Sequence, residues 1–308
     1  MGCGVRFVII GGSDAGISAA LRARELDASA AITVVLSDGY PNFSICGLPF
    51  FLSGETPDWH QLAHRTEFEG IELLTWHTAV AIDPAKKTVD VVDRQNQCKS
   101  LSYARLLIAT GAGPLIPKIP GIGLPGVHTL HTMEDSFGVH QQLLATNPRS
   151  AIIVGAGYIG VEMADALVHR GLSVTLVGKT RSVLATVDPE LGDIIGDELR
   201  RHNVNVKTNV EVTGIESSNC LRVSGTNGFE LAADLVLVAT GVEPASQLAV
   251  QAGISTGHKG AIRVDTSMRT NLPDIFAAGD CVETWHRVLG QYKYLPLGTT
   301  SHKQGRVA

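Results

Sequence analysis

The sequence predicts an α/β protein built from two nested, Rossmann-like dinucleotide-binding domains. Three observations carry this prediction. A strand, a glycine-rich turn and a helix follow one another twice, around Gly11–Gly16 and Gly155–Gly160. Each copy later reaches an apolar stretch that ends in Ala-Thr-Gly, at 109–111 and 239–241. The 308 residues suit two domains, at roughly 100–200 residues each.

In the first copy, Val5–Ile10 reads as a buried strand. An Ala/Leu/Arg-rich helix follows the turn to Leu26, and Ile32–Leu36 is the next strand, which completes a βαβ opening. Short β-like runs between Ile71 and Ser102 suit antiparallel strands laid onto a parallel sheet. Leu106–Ala109 is a further strand. The stretch from Pro114 to Pro125, rich in proline and glycine, reads as a domain crossing. The pattern then restarts, with strands at Ala151–Val154 and Ser173–Val177 around a helix over Val161–Arg170. Asp188-Pro189-Glu190 opens another helix, with an acid at the cap and proline in the first turn. Leu231–Ala239 reads as one strand, and Ile275–Asp280 as a strand running into a turn.

Composition narrows the function. Apolar residues make up 44% and charged residues 18%, enough for a sizeable core. The net charge is −5, with no long basic run, which argues against a nucleic-acid partner. No apolar run is long enough for a bilayer, and the N-terminus lacks both a signal-peptide pattern and a myristoylation signal. Five cysteines lie at 3, 46, 98, 220 and 281, an odd count without a CxxC. A disulfide framework or a metal site is therefore not expected, and a reducing cytoplasm is. His60 and His64 lack the intervening glutamate of a zinc helix and read as surface residues.

Gly155-x-Gly157-x-x-Gly160 satisfies the dinucleotide fingerprint in full. The first glycine makes the tight turn, the second admits the pyrophosphate, and the third packs helix on strand. Backbone amides and the helix dipole then hold the phosphates. In the first loop, Ser13 takes the middle-glycine slot. After Val177, Gly178-Lys179-Thr180-Arg181 stands where an NAD site usually places an acid. Lys179 and Arg181 suit a 2′-phosphate, which favours NADPH, with NADH still admissible.

The segment Phe43-Ser44-Ile45-Cys46-Gly47-Leu48-Pro49-Phe50 is the most specific feature. With the two loops, the two Ala-Thr-Gly ends and Phe276–Asp280, it resembles the pyridine nucleotide–disulfide oxidoreductases over essentially the whole chain. The resemblance is to their single-cysteine branch, which includes coenzyme A-disulfide reductases, NADH oxidases and peroxidases, and persulfide or polysulfide reductases. It implies an FAD-binding domain over 1–115 and 243–308, with an NAD(P)H-binding domain over 116–242 inserted. It implies that Gly11, Gly12, Asp14, Ala15, Gly16, Thr110, Gly111, Gly279 and Asp280 meet FAD. It implies that Gly155, Gly157, Tyr158, Ile159, Gly160, Glu162 and Gly241 meet the nicotinamide nucleotide. The family's coenzyme A contacts fall on Ser18, Arg22 and Asn42, and His302 stands where a substrate contact is sometimes found.

Cys46 is the expected catalytic residue. It precedes a helix with proline in the first turn, and cysteine reacts as thiolate. Two-cysteine relatives need a partner five residues away, where this chain has Pro41 and Phe51. Cys46 would then cycle as a mixed disulfide, persulfide or sulfenic acid. The implied function is FAD-dependent reduction, by NAD(P)H, of a coenzyme A disulfide, persulfide or polysulfide. Three other readings stay open: an oxidase or peroxidase working through sulfenic acid, an electron-transfer flavoprotein with a protein partner, and a nucleotide-binding regulatory protein without turnover.

The sequence departs from the family in four places. Leu36 stands where an acid would meet the FAD adenosine ribose, so Ser37 or Asp38 is the substitute. Asp14 replaces the histidine of the oxidase and peroxidase members, which weighs against oxygen and peroxide. Ile45 replaces the asparagine before the cysteine. The sequence stops within the segment that leads, in relatives, to a C-terminal dimerisation domain, so a homodimer is expected where such a domain exists.

Overall fold

The computed structural model of the chain describes residues 5–218 and 220–308. Cys3 lies outside the described residues. In chain order the helices are α1 (Asp14–Leu26), α2 (Leu48–Ser53), α3 (Met133–Thr146), α4 (Tyr158–His169), α5 (Pro189–Arg201), α6 (Gln247–Gln251) and α7 (Gly298–Val307). None of them is long and apolar enough to cross a membrane. The residues form two compact units. The first holds the chain up to Phe43, Ala63–Gly113 and Glu243–Ala308, and the second holds Ser44–Leu62 and Pro114–Val242. These differ from the sequence boundaries mainly at Ser44–Leu62, which groups with the second unit.

The first unit is built on a five-stranded parallel sheet. Its order is Ile275–Ala277, Arg105–Ile108, Arg6–Ile10, Ala31–Val35, Ile71–Leu74. The glycine-loop strand lies in the middle and is buried on both faces. Ile9 turns to α1, where it packs with Ile17, Ala20 and Leu107. Val8 and Ile10 turn the other way, onto Val89 and Val91 of a three-stranded antiparallel sheet over Thr78–Ser102. Burying each such aliphatic side chain is worth about 1.5–3 kcal/mol.

The second unit repeats this plan. Its parallel sheet runs Asn205–Lys207, Ser173–Val177, Ser150–Val154, Leu235–Val238, Val127–Thr129. An antiparallel sheet over Val212–Ala233 covers one face. In both units the first antiparallel strand carries a register shift, at Ala79/Ala81 and at Val212/Gly214. The units differ in their outermost strand. Ile275–Ala277 arrives after the Ala-Thr-Gly strand in the first, whereas Val127–Thr129 arrives before the glycine loop in the second.

Three expectations need correction. Ile71–Leu74 does not join the antiparallel sheet but pairs parallel with Ala31–Val35. Its run is continuously apolar apart from Glu72, the pattern of a parallel strand, while Thr88–Val92 alternates and buries Val89 and Val91. The single strand expected over Leu231–Ala239 is two strands in different sheets, Glu230–Ala233 and Leu235–Val238. They part at Asp234, whose carboxylate accepts the N–H groups of Arg149 and Ser150 at 2.8 and 3.0 Å. Finally, α4 starts at Tyr158 rather than Val161, because Gly160 lets the first turn close over the loop.

Helix α7 lies directly on α1. A Cβ at Gly305 would sit 2.1 Å from the Ala15 carbonyl oxygen, and one at Gly279 would sit 2.9 Å from the Ala15 Cβ. Gly305→Val should therefore force the helices apart. The expected cost is on the order of 1–3 kcal/mol, read as a lower denaturation midpoint. An unchanged midpoint would show that α7 does not dock as described.

Candidate functional site

The first unit's loop is shaped by two close backbone approaches. Gly11 has φ +111°, and a Cβ there would lie 2.0 Å from the Ala109 carbonyl oxygen. A Cβ at Gly16 would lie 1.9 Å from the Gly11 carbonyl oxygen, so only glycine lets α1 sit on the turn. Ser13 caps α1 at φ −95° with no side-chain capping bond. That backbone suits any L residue, so a serine in the middle slot costs no strain. Ile17 N–H makes the first helical bond, to Ser13 O at 2.9 Å. The amides before it, at Asp14, Ala15 and Gly16, are the orphan donors of a helix start, which favour an anion.

Other residues converge on this loop. Asn42, at φ 58°, donates its N–H to Gly12 O at 2.8 Å. Gln304 of α7 accepts the Gly279 N–H at 2.8 Å, and Ser301 Oγ donates to Asp280 Oδ1 at 2.6 Å. Thr110 Oγ1 donates to Ala245 O at 2.6 Å. Gly111 faces open space at φ +70°. Leu36 packs its side chain where a Cβ on Gly12 would stand. Ser37 is exposed, and Asp38 Oδ1 accepts the Tyr40 N–H at 2.9 Å. An open glycine cradle with orphan amides fits the pyrophosphate of a dinucleotide.

The second unit has the same geometry. Gly155 has φ +117°, with a Cβ 2.1 Å from the Ala239 oxygen, and a Cβ on Gly160 would lie 1.8 Å from the Gly155 oxygen. Gly157 caps α4 without a side-chain bond and faces open space, beside the first-turn amides of Tyr158 and Ile159. Gly241 also faces open space, at φ +114°. Tyr158 is exposed and accepts a hydrogen bond from Thr186 Oγ1 at 3.2 Å. Burial pushes the Glu162 carboxyl above its ordinary pKa. Lys179 and Arg181 point to solvent after the strand end, and Arg181 reaches Asp193 only at 3.9 Å. This cradle too fits a dinucleotide.

Cys46 lies exposed in a 3-10 turn, Ile45–Gly47, that leads into α2. This helix has six residues. Its Leu48, Pro49, Phe51 and Leu52 are buried. Cys281 is a core residue: its thiol is fully buried, donates toward Ala278 O at 3.4 Å, and is pushed up to about 11 by burial. Cys98 is exposed and Cys220 half-buried.

The residues expected to meet coenzyme A are dispersed in character. Ser18 is buried within α1, and Arg22 pairs with Glu25 at 2.9 Å. His302 is exposed on α7. His60 pairs with Asp58 at 2.7 Å and stacks on Trp59. His64 has a place the sequence did not suggest, since with His302 it lies close enough to bias the ionisation of Asp14. Ser301 and Gln304 were also missed, because no local pattern marks them. Among the described residues no group of three or more His, Cys, Asp or Glu is arranged to hold a metal.

Asp14 holds a carboxyl beside the orphan amides. Burial pushes its pKa up, and the His64 and His302 charges offset part of this. The shift favours the protonated form of this carboxyl in the folded chain. The folded chain binds this proton more tightly than the unfolded chain does. Its stability contribution therefore falls as pH rises from the ordinary carboxyl range through the raised value. Asp14→Asn should be stabilised relative to the parent at neutral pH and less so near pH 4, in paired thermal melts. An equal difference at both pH values would remove this account.

The pyridine nucleotide-disulphide oxidoreductase family model matches residues 5–305. The NAD(P)H sulfur oxidoreductase (CoA-dependent) of Pyrococcus furiosus is 34% identical, over 98% of this chain and 69% of its own. An NADH oxidase of Methanocaldococcus jannaschii is 31% identical, over 99% of this chain and 69% of its own. The solved NAD-dependent persulfide reductase from A. fulgidus superposes with a TM-score of 0.93 at 38% identity, over 98% of this chain. This chain spans only 57% of that protein's length. With its paired glycine cradles and Ala-Thr-Gly strands, the chain belongs to the pyridine nucleotide-disulphide oxidoreductase family, an oxidoreductase whose cofactors are FAD and NAD(P)H.

Proposed function

We propose that this protein reduces a small disulfide or sulfane sulfur, such as a coenzyme A disulfide, persulfide or polysulfide, through Cys46. The exposed Cys46 in its Ser-Ile-Cys-Gly-Leu-Pro turn is the observation that carries the reading. The similarity to a CoA-dependent sulfur oxidoreductase and a persulfide reductase supports it. The first unit takes FAD on the amides of Asp14–Gly16, with Gly111, Gly279 and Asp280 alongside. The second takes the nicotinamide nucleotide on Gly155–Gly160, and Lys179 and Arg181 favour NADPH.

The flavin, when bound, relays two electrons from the nicotinamide to sulfur. The Cys46 thiolate attacks one sulfur of the substrate, whose S–S bond breaks and releases a thiolate. Two electrons from NAD(P)H then cleave the new Cys46 mixed disulfide, and the second thiolate leaves. For a disulfide the balance is NAD(P)H, one proton and RSSR giving NAD(P)+ and two RSH. Asp14 in place of a histidine favours this over oxygen chemistry. The scattered cysteines suit a reducing cytoplasm.

Two measurements test the reading. Cys46→Ser should lower NADPH-dependent reduction of coenzyme A disulfide and of polysulfide by at least roughly a hundredfold, with flavin content retained. Full activity in that variant would refute it, and rapid oxygen uptake by the parent would move it to the oxidase class. Replacing both Lys179 and Arg181 with alanine should raise KM for NADPH by about tenfold or more, since each charge-assisted bond is worth about 1.5–3 kcal/mol. KM for NADH should stay within about twofold of the parent if each side chain serves only the 2′-phosphate.

A further inference from the structure

We infer that Arg170, with the pocket of Phe137 and His140, positions Cys46 by clamping the far end of the short helix that follows it. The inference rests on Cys46 being the reacting sulfur. Helix α2 has six residues, too few to keep its shape alone. Its place must come from packing.

The packing is specific. Phe51 is 2% exposed, its ring edge-on to Phe137 at 6.1 Å and tilted against the His140 ring at 4.6 Å. Trp59 closes the cluster, edge-on to Phe137 at 5.3 Å. Burial, and then the Arg170 charge, hold His140 below its ordinary pKa, which favours an uncharged ring against Phe51. At the helix end, Gly54 turns left-handed at φ +91°, and Arg170 Nη1 donates to Leu52 O at 2.9 Å. Carbonyls of a last helical turn lack partners within the helix, and a cation there also meets the negative end of the dipole.

The other side of Cys46 is fixed too. Ser44 N–H bonds to Leu62 O at 2.8 Å, and a Cβ on Gly47 would lie 2.8 Å from Leu62 Cδ2. The cysteine turn is thus held between Leu62 on one side and Arg170 on the other. Arg170 is also the C-cap of α4, whose first turn is the Gly155–Gly160 loop. One helix carries both the nucleotide cradle and the clamp. Arg170 touches no reacting atom and is a positioning residue.

The test uses the purified flavoprotein with Arg170→Met, which keeps the stem, and Arg170→Lys, which keeps a cationic donor. The rate of iodoacetamide labelling at Cys46 is read against pH by peptide mass spectrometry, beside kcat and KM for coenzyme A disulfide. Loosening the turn should weaken its hold on the thiolate. Arg170→Met is expected to move the labelling midpoint upward by about half a unit or more and to lower kcat by roughly tenfold, at unchanged KM for NADPH. Arg170→Lys is expected to restore most of both. A folded, flavin-loaded Arg170→Met protein with the parent's labelling profile and kcat overturns the inference. Should that variant not fold, Phe51→Leu is expected to shift the midpoint the same way, and an unshifted midpoint overturns the inference. Labelling needs no turnover, so a shifted profile alongside an active Cys46→Ser variant would fault the proposed function and leave the clamp standing.

Discussion

The structure depends on one close approach made twice: a helix start lying against the carbonyl of the turn below it. The third glycine of each loop stands under 2 Å, measured from a hypothetical Cβ, from the oxygen of the first. Any side chain there would lift the helix off the strand. With it in place, the first-turn amides of α1 and α4 face outward from the end of a buried strand. The first glycine of each loop meets the alanine of an Ala-Thr-Gly strand end in the same way. Strand order, loop conformation and phosphate donors thus follow from a few positions without side chains.

The two units share their strand order because each has to bury the same central strand on both faces. One face takes a helix and the other an antiparallel sheet. The outermost parallel strand is free to come from either side in sequence, and the two units draw it from opposite sides. The polar ends are tied off locally. Thr110 donates to Ala245 and Thr240 to Leu115, each anchoring the chain where it enters or leaves its unit. Asp234 ends one sheet and begins another by taking the amides of Arg149 and Ser150.

Polar chemistry sits where this scaffold leaves groups incompletely solvated. Asp14 opens α1 and Glu162 lies one turn into α4, and burial raises the pKa of both. Cys281 shows the contrasting case, a thiol sealed in the core and kept protonated. Cys46 is exposed on a turn whose order is supplied by α3 and α4.

The sequence by itself determined the repeated βαβ plan, both glycine cradles and the place of Cys46 just before a helix with proline in its first turn. These depend on residues close together in the chain: glycines at fixed spacing, an apolar run before them, a proline just after the sulfur. Spacing could not reveal what depends on distant neighbours. The split at Asp234 needs Arg149 and Ser150 beside it, and the parallel pairing of Ile71–Leu74 needs Ala31–Val35. The bias on Asp14 needs His64 and His302, and the clamp on α2 needs Arg170 to meet a carbonyl 118 residues away. Only the tertiary structure decided these, because hydrogen bonds and burial act through space and leave no periodicity in the chain.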